Sequence, residues 1–180
     1  MTTSVARGVL PVGTWTLDPV HTHVGFSVDY IAGTFRGSFA PVNATLSVAE
    51  DGGASLTGSA PVKGVKVQDE GLGAHLQSPE FFDAERTPEI TFNSTEVSVS
   101  GDQVTVGGDL AIRGVTLPIV ATGSAGEPAE YGGSERFVLK LDAQVDRTRF
   151  GLNWNAPLAG GKPALANAVT LSAELYFVRG

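Results

Sequence analysis

The chain of 180 residues has no cysteine. Disulfides, thiolate metal sites and a cysteine nucleophile are therefore excluded. Charge is scarce as well: Asp, Glu, Lys and Arg make up 17%, where about 25% is usual. Twelve basic residues against nineteen acidic ones leave a formal net charge of -7. That balance is unclustered, and nucleic-acid binding needs a basic face. It gives no electrostatic grip on anionic membranes either. No stretch reaches the roughly 18 consecutive apolar residues of a membrane span. Residues 1–13 lack the apolar run of a secretory signal. The expectation is a cytoplasmic protein with no nucleic-acid partner and no membrane insertion.

What the chain does contain suits strands. Hydrophobic residues make up 42%, and 23 glycines accompany abundant Thr and Ser. Such a mixture disfavours helix and fits strands joined by tight turns. The length is that of one domain with a sizeable core. Period-two alternation runs from end to end. Val24, Phe26, Val28 and Tyr30 share one face of an early strand; Val42, Ala44, Leu46 and Val48 share one face of the next. Glu50-Asp51-Gly52-Gly53 reads as a hairpin. The return strand carries Leu56, Gly58, Ala60 and Val62, then shifts phase to Val65 and Val67. A β-bulge at Lys63-Gly64 is the expected cause. Alternation resumes at Ile90 and Phe92. It continues through Val97 to Ala121, through Phe137 to Val145 and through Val169 to Phe177.

About eight antiparallel strands result, many near ten residues and so roughly 33 Å long. Long strands with one apolar face suit a closed barrel better than a sandwich. The fold class predicted is all-β: a single extended antiparallel eight-stranded barrel. Short helical structure is expected within 69–82, an exposed loop over 123–134, and a broken, loop-like stretch over 155–168. Residues 1–12 are expected to form a flexible segment ahead of one domain, 13–180.

Chemistry-bearing motifs are few. His21 and His23 share a strand face and could chelate a metal with His75 as a third ligand. Structural hydrogen bonding explains the same residues. No serine sits in a G-x-S-x-G elbow, and no glycine-rich phosphate loop precedes a lysine. An enzyme is not expected. Small residues on the apolar faces (Ala44, Gly58, Ala60, Ala121, Ala143, Ala173) would leave room for a ligand inside a barrel, unless larger neighbours interdigitate and fill it. One connection is unusual: His75-Leu76-Gln77-Ser78-Pro79-Glu80-Phe81-Phe82 is aromatic and proline-punctuated. Its paired rings either plug a barrel end or touch a hydrophobic ligand.

Five stretches, in order, carry a resemblance. They are Trp15-Thr16-Leu17-Asp18 with His21-Thr22-His23-Val24-Gly25-Phe26; Phe35-Arg36-Gly37-Ser38-Phe39; His75 to Asp83 with Pro88-Glu89-Ile90-Thr91-Phe92; Gly108 to Pro118; and Arg147-Thr148-Arg149-Phe150-Gly151-Leu152. Together they resemble the YceI-like, polyisoprenoid-binding family from Gly13 to Phe177. One departure is Gly73-Ala74, where the family often has an Arg-Asp pair.

The resemblance implies a lipocalin-like barrel whose interior holds a long isoprenoid chain, a polyprenyl or quinone tail, with no cofactor. Val24, Phe26, Val28, Phe39, Leu46, Phe81, Phe82, Phe92, Leu141 and Leu171 are the candidate cavity wall. His21, Arg36, His75, Arg113 and Arg149 are candidate polar contacts near a mouth or head group. The expected partner is an isoprenoid lipid, with a homodimer compatible. Two alternatives stand: a metal-dependent enzyme built on the histidines, and a ligand-free interaction module.

Overall fold

The computed structural model describes residues 10–180. Most of them lie in twelve strands: β1 (Gly13–Leu17), β2 (His23–Tyr30), β3 (Gly33–Phe39), β4 (Asn43–Val48), β5 (Ala54–Pro61), β6 (Val65–Lys66), β7 (Glu89–Ser100), β8 (Gln103–Ile112), β9 (Val115–Ala125), β10 (Ala129–Tyr131), β11 (Ser134–Asp146) and β12 (Leu165–Arg179). One α-helix, α1, spans Glu70–Gln77. Of the segment expected to be flexible, residues 1–9 lie outside the described residues. Leu10 is buried in the core, and the Pro11 carbonyl accepts a hydrogen bond from the Trp15 indole at 2.9 Å. No helix among the described residues is long and apolar enough to cross a membrane.

All pairings are antiparallel. The strands run β11-β9-β8-β7-β5-β4-β1-β12, and β12 returns to β11 to close an eight-stranded barrel. Closure rests on the length of β12. One edge pairs with β11 from Ala168 to Val178. The other edge serves two strands in turn: β2 along Leu165–Glu174 and β1 along Phe177–Arg179. The β2-β3-β6 extension therefore continues the wall beyond the point where β1 ends. At the β9–β11 seam the backbones come so close that a Cβ on Gly123 would run into the Lys140 carbonyl.

The alternation read from the sequence carries over to burial. In β8, Val104, Val106, Leu110 and Ile112 are buried; in β11, so are Phe137, Leu139, Leu141 and Ala143. These faces feed two apolar clusters. One end is densely packed around Trp15, Phe137 and Phe177. Trp15 meets Phe137 edge-on at 4.8 Å between centroids, and Phe137 stacks on Phe177 at 5.6 Å. The other end gathers Phe81, Phe82, Phe150, Leu152 and Leu165.

Local corrections have physical causes. The phase shift after Val62 is not a β-bulge: Val62–Gly64 form a 3-10 turn that carries the chain from β5 into β6. Register shifts lie instead in β7, between Ser94 and Glu96, where the inward phase moves from Phe92 to Val97, and in β12, between Leu165 and Val169. The short helix expected within 69–82 is the two turns of α1. Asp69 caps it by accepting from the Leu72 amide at 2.9 Å, and the Ser78 hydroxyl ends it by donating to the His75 carbonyl at 2.6 Å. The expected loop over 123–134 contains the end of β9 and the short strand β10. The last strand begins at Leu165, four residues before the clear alternation, because Asn155 holds Leu165 through both its backbone amide and carbonyl.

Candidate functional site

The interior is packed at one end and open at the other. A cavity of about 270 Å³ lies beneath α1 and the Phe81-Phe82 segment. A second space of about 180 Å³ adjoins it toward the packed end. Val24, Ala60, Ile90, Leu110 and Leu171 border both. The small residues Ala44, Gly58, Ala121, Ala143 and Ala173 border the second space, as their positions on inward faces suggested. Protein interiors close up wherever side chains can reach. Space persists here because short side chains stand on several neighbouring strands.

Most of the candidate wall converges. Val24, Phe26, Val28, Phe39, Phe81, Phe82 and Leu171 line the larger cavity, and Phe92 and Leu141 line the smaller. The rings brace one another: Phe26 lies 5.9 Å from both Phe35 and Phe39, and Phe39 meets Phe82 edge-on at 5.7 Å. Leu46 is the exception. It is fully buried in the packed cluster with Trp15 and lines neither space.

The polar candidates scatter. His75 alone borders the cavity; its ring packs edge-on against Phe81 at 5.0 Å and Trp154 at 5.3 Å. His21 is exposed outside the barrel, 2.7 Å from Asp18 and beside the Tyr176 ring. The hydrogen bond from His21 holds the Asp18 carboxyl below its ordinary range. Arg36 lines an outer groove with His23 and Lys66. Arg113 ties two loops together, donating to the Pro79 carbonyl at 2.6 Å and the Gly151 carbonyl at 2.9 Å. Arg149 is exposed. Among the described residues no group of three His, Cys, Asp or Glu side chains could hold a metal ion.

Sequence reasoning missed the arginine that matters most to the cavity. Arg147 is 4% exposed and lines the larger cavity. It begins a 3-10 turn, Arg147–Phe150, capped by Asp146, whose carboxylate accepts from both the amide and the hydroxyl of Thr148. Those bonds hold the Asp146 carboxyl below its ordinary range. Burial pushes the Arg147 guanidinium down, with the Asp146 charge opposing. A signal was present: the inward phase of β11, Phe137 to Val145, reaches Arg147 at its next step. Leu72, Leu152, Trp154 and Leu165 also line this cavity and come from segments without clean alternation.

This geometry has relatives. The model of the YceI-like domain matches residues 15–177. A UPF0312 protein of Staphylococcus aureus (strain USA300) is 25% identical over 170 residues, covering 91% of this chain and 96% of that one. Among solved structures, Burkholderia cenocepacia BcnA superposes with a TM-score of 0.70 at 19% identity, covering 89% of this chain and 98% of that one. A polyisoprenoid binding domain from Saccharophagus degradans, implicated in plant cell wall breakdown, superposes with a TM-score of 0.65 at 13% identity, covering 92% and 98%. At those identities the structural likeness speaks for the barrel, and the family match spans nearly all of it. The chain belongs to the family of YceI-like domains.

Proposed function

We propose that this barrel is a non-enzymatic carrier or store for a long-chain isoprenoid lipid, a polyprenyl or quinone-type molecule, held in the interior cavity. The observation that carries the reading is the larger cavity itself. Its wall is apolar apart from Tyr30, His75 and Arg147, and it continues into a second apolar space. Ligand sites are typically concave and apolar with few polar groups, and a branched hydrocarbon chain fits such a lining. The Saccharophagus neighbour, a polyisoprenoid binding domain by its description, supports the same direction.

The energetics favour retention over selectivity. Each methylene transferred from water contributes about 0.8 kcal/mol, so a long chain has more gross transfer energy than any real affinity expresses. Ordering the chain and the ceiling on non-covalent binding cut this down. Organic extraction of gently purified protein, followed by mass spectrometry, tests the reading. An isoprenoid lipid near one per chain is expected. Protein free of lipid that also fails to take up an added isoprenoid would overturn it. The two alternatives find less support: the three histidines do not meet, and an interaction module would have a filled interior.

A further inference from the structure

Arg147 is the one basic side chain among the described residues that is buried and also lines the cavity. Its contacts are all to neutral carbonyls. Nε donates to Ala166 at 2.7 Å; Nη1 donates to Leu152 at 2.5 Å and Trp154 at 2.9 Å; Nη2 donates to Leu165 at 3.3 Å. A guanidinium has five N–H donors. Four are used, and the open one belongs to Nη2, whose single bond is also the longest. No carboxylate among the described residues comes within 4.0 Å. The adjacent Asp146 is occupied with Thr148. Two other titratable groups border this wall: Tyr30, which is exposed, and His75, which directs Nε2 toward Glu80 at 3.3 Å.

A buried cation ordinarily has a counter-charge, because carbonyl dipoles replace hydration without neutralising it. Here the surrounding wall (Val145, Phe150, Leu152, Leu165) supplies none. We propose that the missing counter-charge comes with the ligand: Arg147 receives an anionic oxygen, of a carboxylate or phosphate head group, on the lipid whose chain fills the cavity. An anionic acceptor makes a charge-assisted hydrogen bond with the free Nη2 donor, and the low polarity of the wall strengthens the attraction. This inference rests on the isoprenoid-binding reading and specifies the head group.

The test pairs ligands of equal chain. Delipidated protein is titrated at pH 7 with geranylgeranyl phosphate and with geranylgeraniol, then with palmitate and with hexadecanol. Tighter binding of at least one anion than of its alcohol is expected, by about tenfold or more, the factor that about 1.4 kcal/mol represents. The pair that shows it tells phosphate from carboxylate. Arg147→Met is expected to bring the ratio near one, and Arg147→Lys to keep part of it. A merely structural arginine would weaken acid and alcohol alike and leave the ratio unchanged. Acids that bind wild-type protein no tighter than alcohols overturn the head-group inference alone, whether or not Arg147→Met folds. If neither isoprenoid binds, the isoprenoid reading fails and this inference fails with it.

Discussion

The imidazole of His75 stands edge-on to the indole of Trp154, ring centroids 5.3 Å apart and planes at 89°. The pair joins α1 to the segment that follows the 3-10 turn at Arg147. Phe81 completes the contact, 5.4 Å from Trp154. Two separate stretches of chain, 75–81 and the one carrying Trp154, thus meet in one aromatic cluster on the cavity wall. Edge-to-face pairs of this kind contribute about 0.5–1.5 kcal/mol beyond burial. Trp154→Ala is expected to cost about 2 kcal/mol of stability and to speed release of bound lipid several-fold. Stopped-flow transfer of lipid to acceptor vesicles measures the release.

Ala60 borders both interior spaces. Ala60→Leu is expected to project into the void rather than into packed atoms. Overpacking strain should then be small, and apo stability should rise by about 1 kcal/mol from the added methylenes. Lipid uptake should fall by an order of magnitude or more. Denaturant titration without ligand and lipid titration of the same variant check both halves.

Leu46 and the Phe81-Phe82 pair should behave oppositely. Leu46 sits in the packed cluster and touches neither space, so Leu46→Ala should cost about 3–4 kcal/mol while leaving lipid affinity nearly unchanged. Phe81 and Phe82 are buried but face open volume. Each Phe→Ala should cost about 2–3 kcal/mol, less than the usual core value because their packing is one-sided. Each should also weaken lipid binding. Chemical denaturation and lipid titration on the three variants separate the roles.

Asp146 links the site to pH. Its carboxyl is held below the ordinary value of 3.8 by the Thr148 hydroxyl and amide. A group whose folded pKa is depressed adds stability that is complete above its unfolded pKa and lost as pH falls through the folded one. Asp146→Ala should therefore lower the melting temperature by a constant amount above about pH 5. The gap to wild type should narrow toward pH 3 and below. Melting curves across that range show whether it does.

The barrel was legible in the sequence because period two is a direct image of one buried face per strand. Phe137 to Val145 and Val169 to Phe177 needed no further information. The family motifs single out Phe81 and Phe82 but leave open whether they plug a barrel end or meet a ligand. What alternation does not encode is position along the barrel axis. Leu46 and Leu171 carry the same inward signature, yet one is packed under Trp15 and the other lines open space. Polar residues were harder still. Arg149 is the candidate polar contact by sequence, but a 3-10 turn leaves it exposed and Arg147 buried. That arrangement depends on the Asp146 cap and on four carbonyls further along the chain, those of Leu152, Trp154, Leu165 and Ala166. The 3-10 turn at Val62–Gly64 hid for a similar reason: its phase shift looks like a bulge until the chain is seen to pass from β5 to β6.

The central claim is that the interior space is where lipid resides. Native mass spectrometry of delipidated protein mixed with a long-chain polyprenyl lipid addresses it directly, with Ala60→Leu measured in parallel. One lipid per chain on the wild type, and almost none on the folded variant, is the expected outcome. No complex with wild-type protein, or equal loading of wild type and Ala60→Leu, would contradict it.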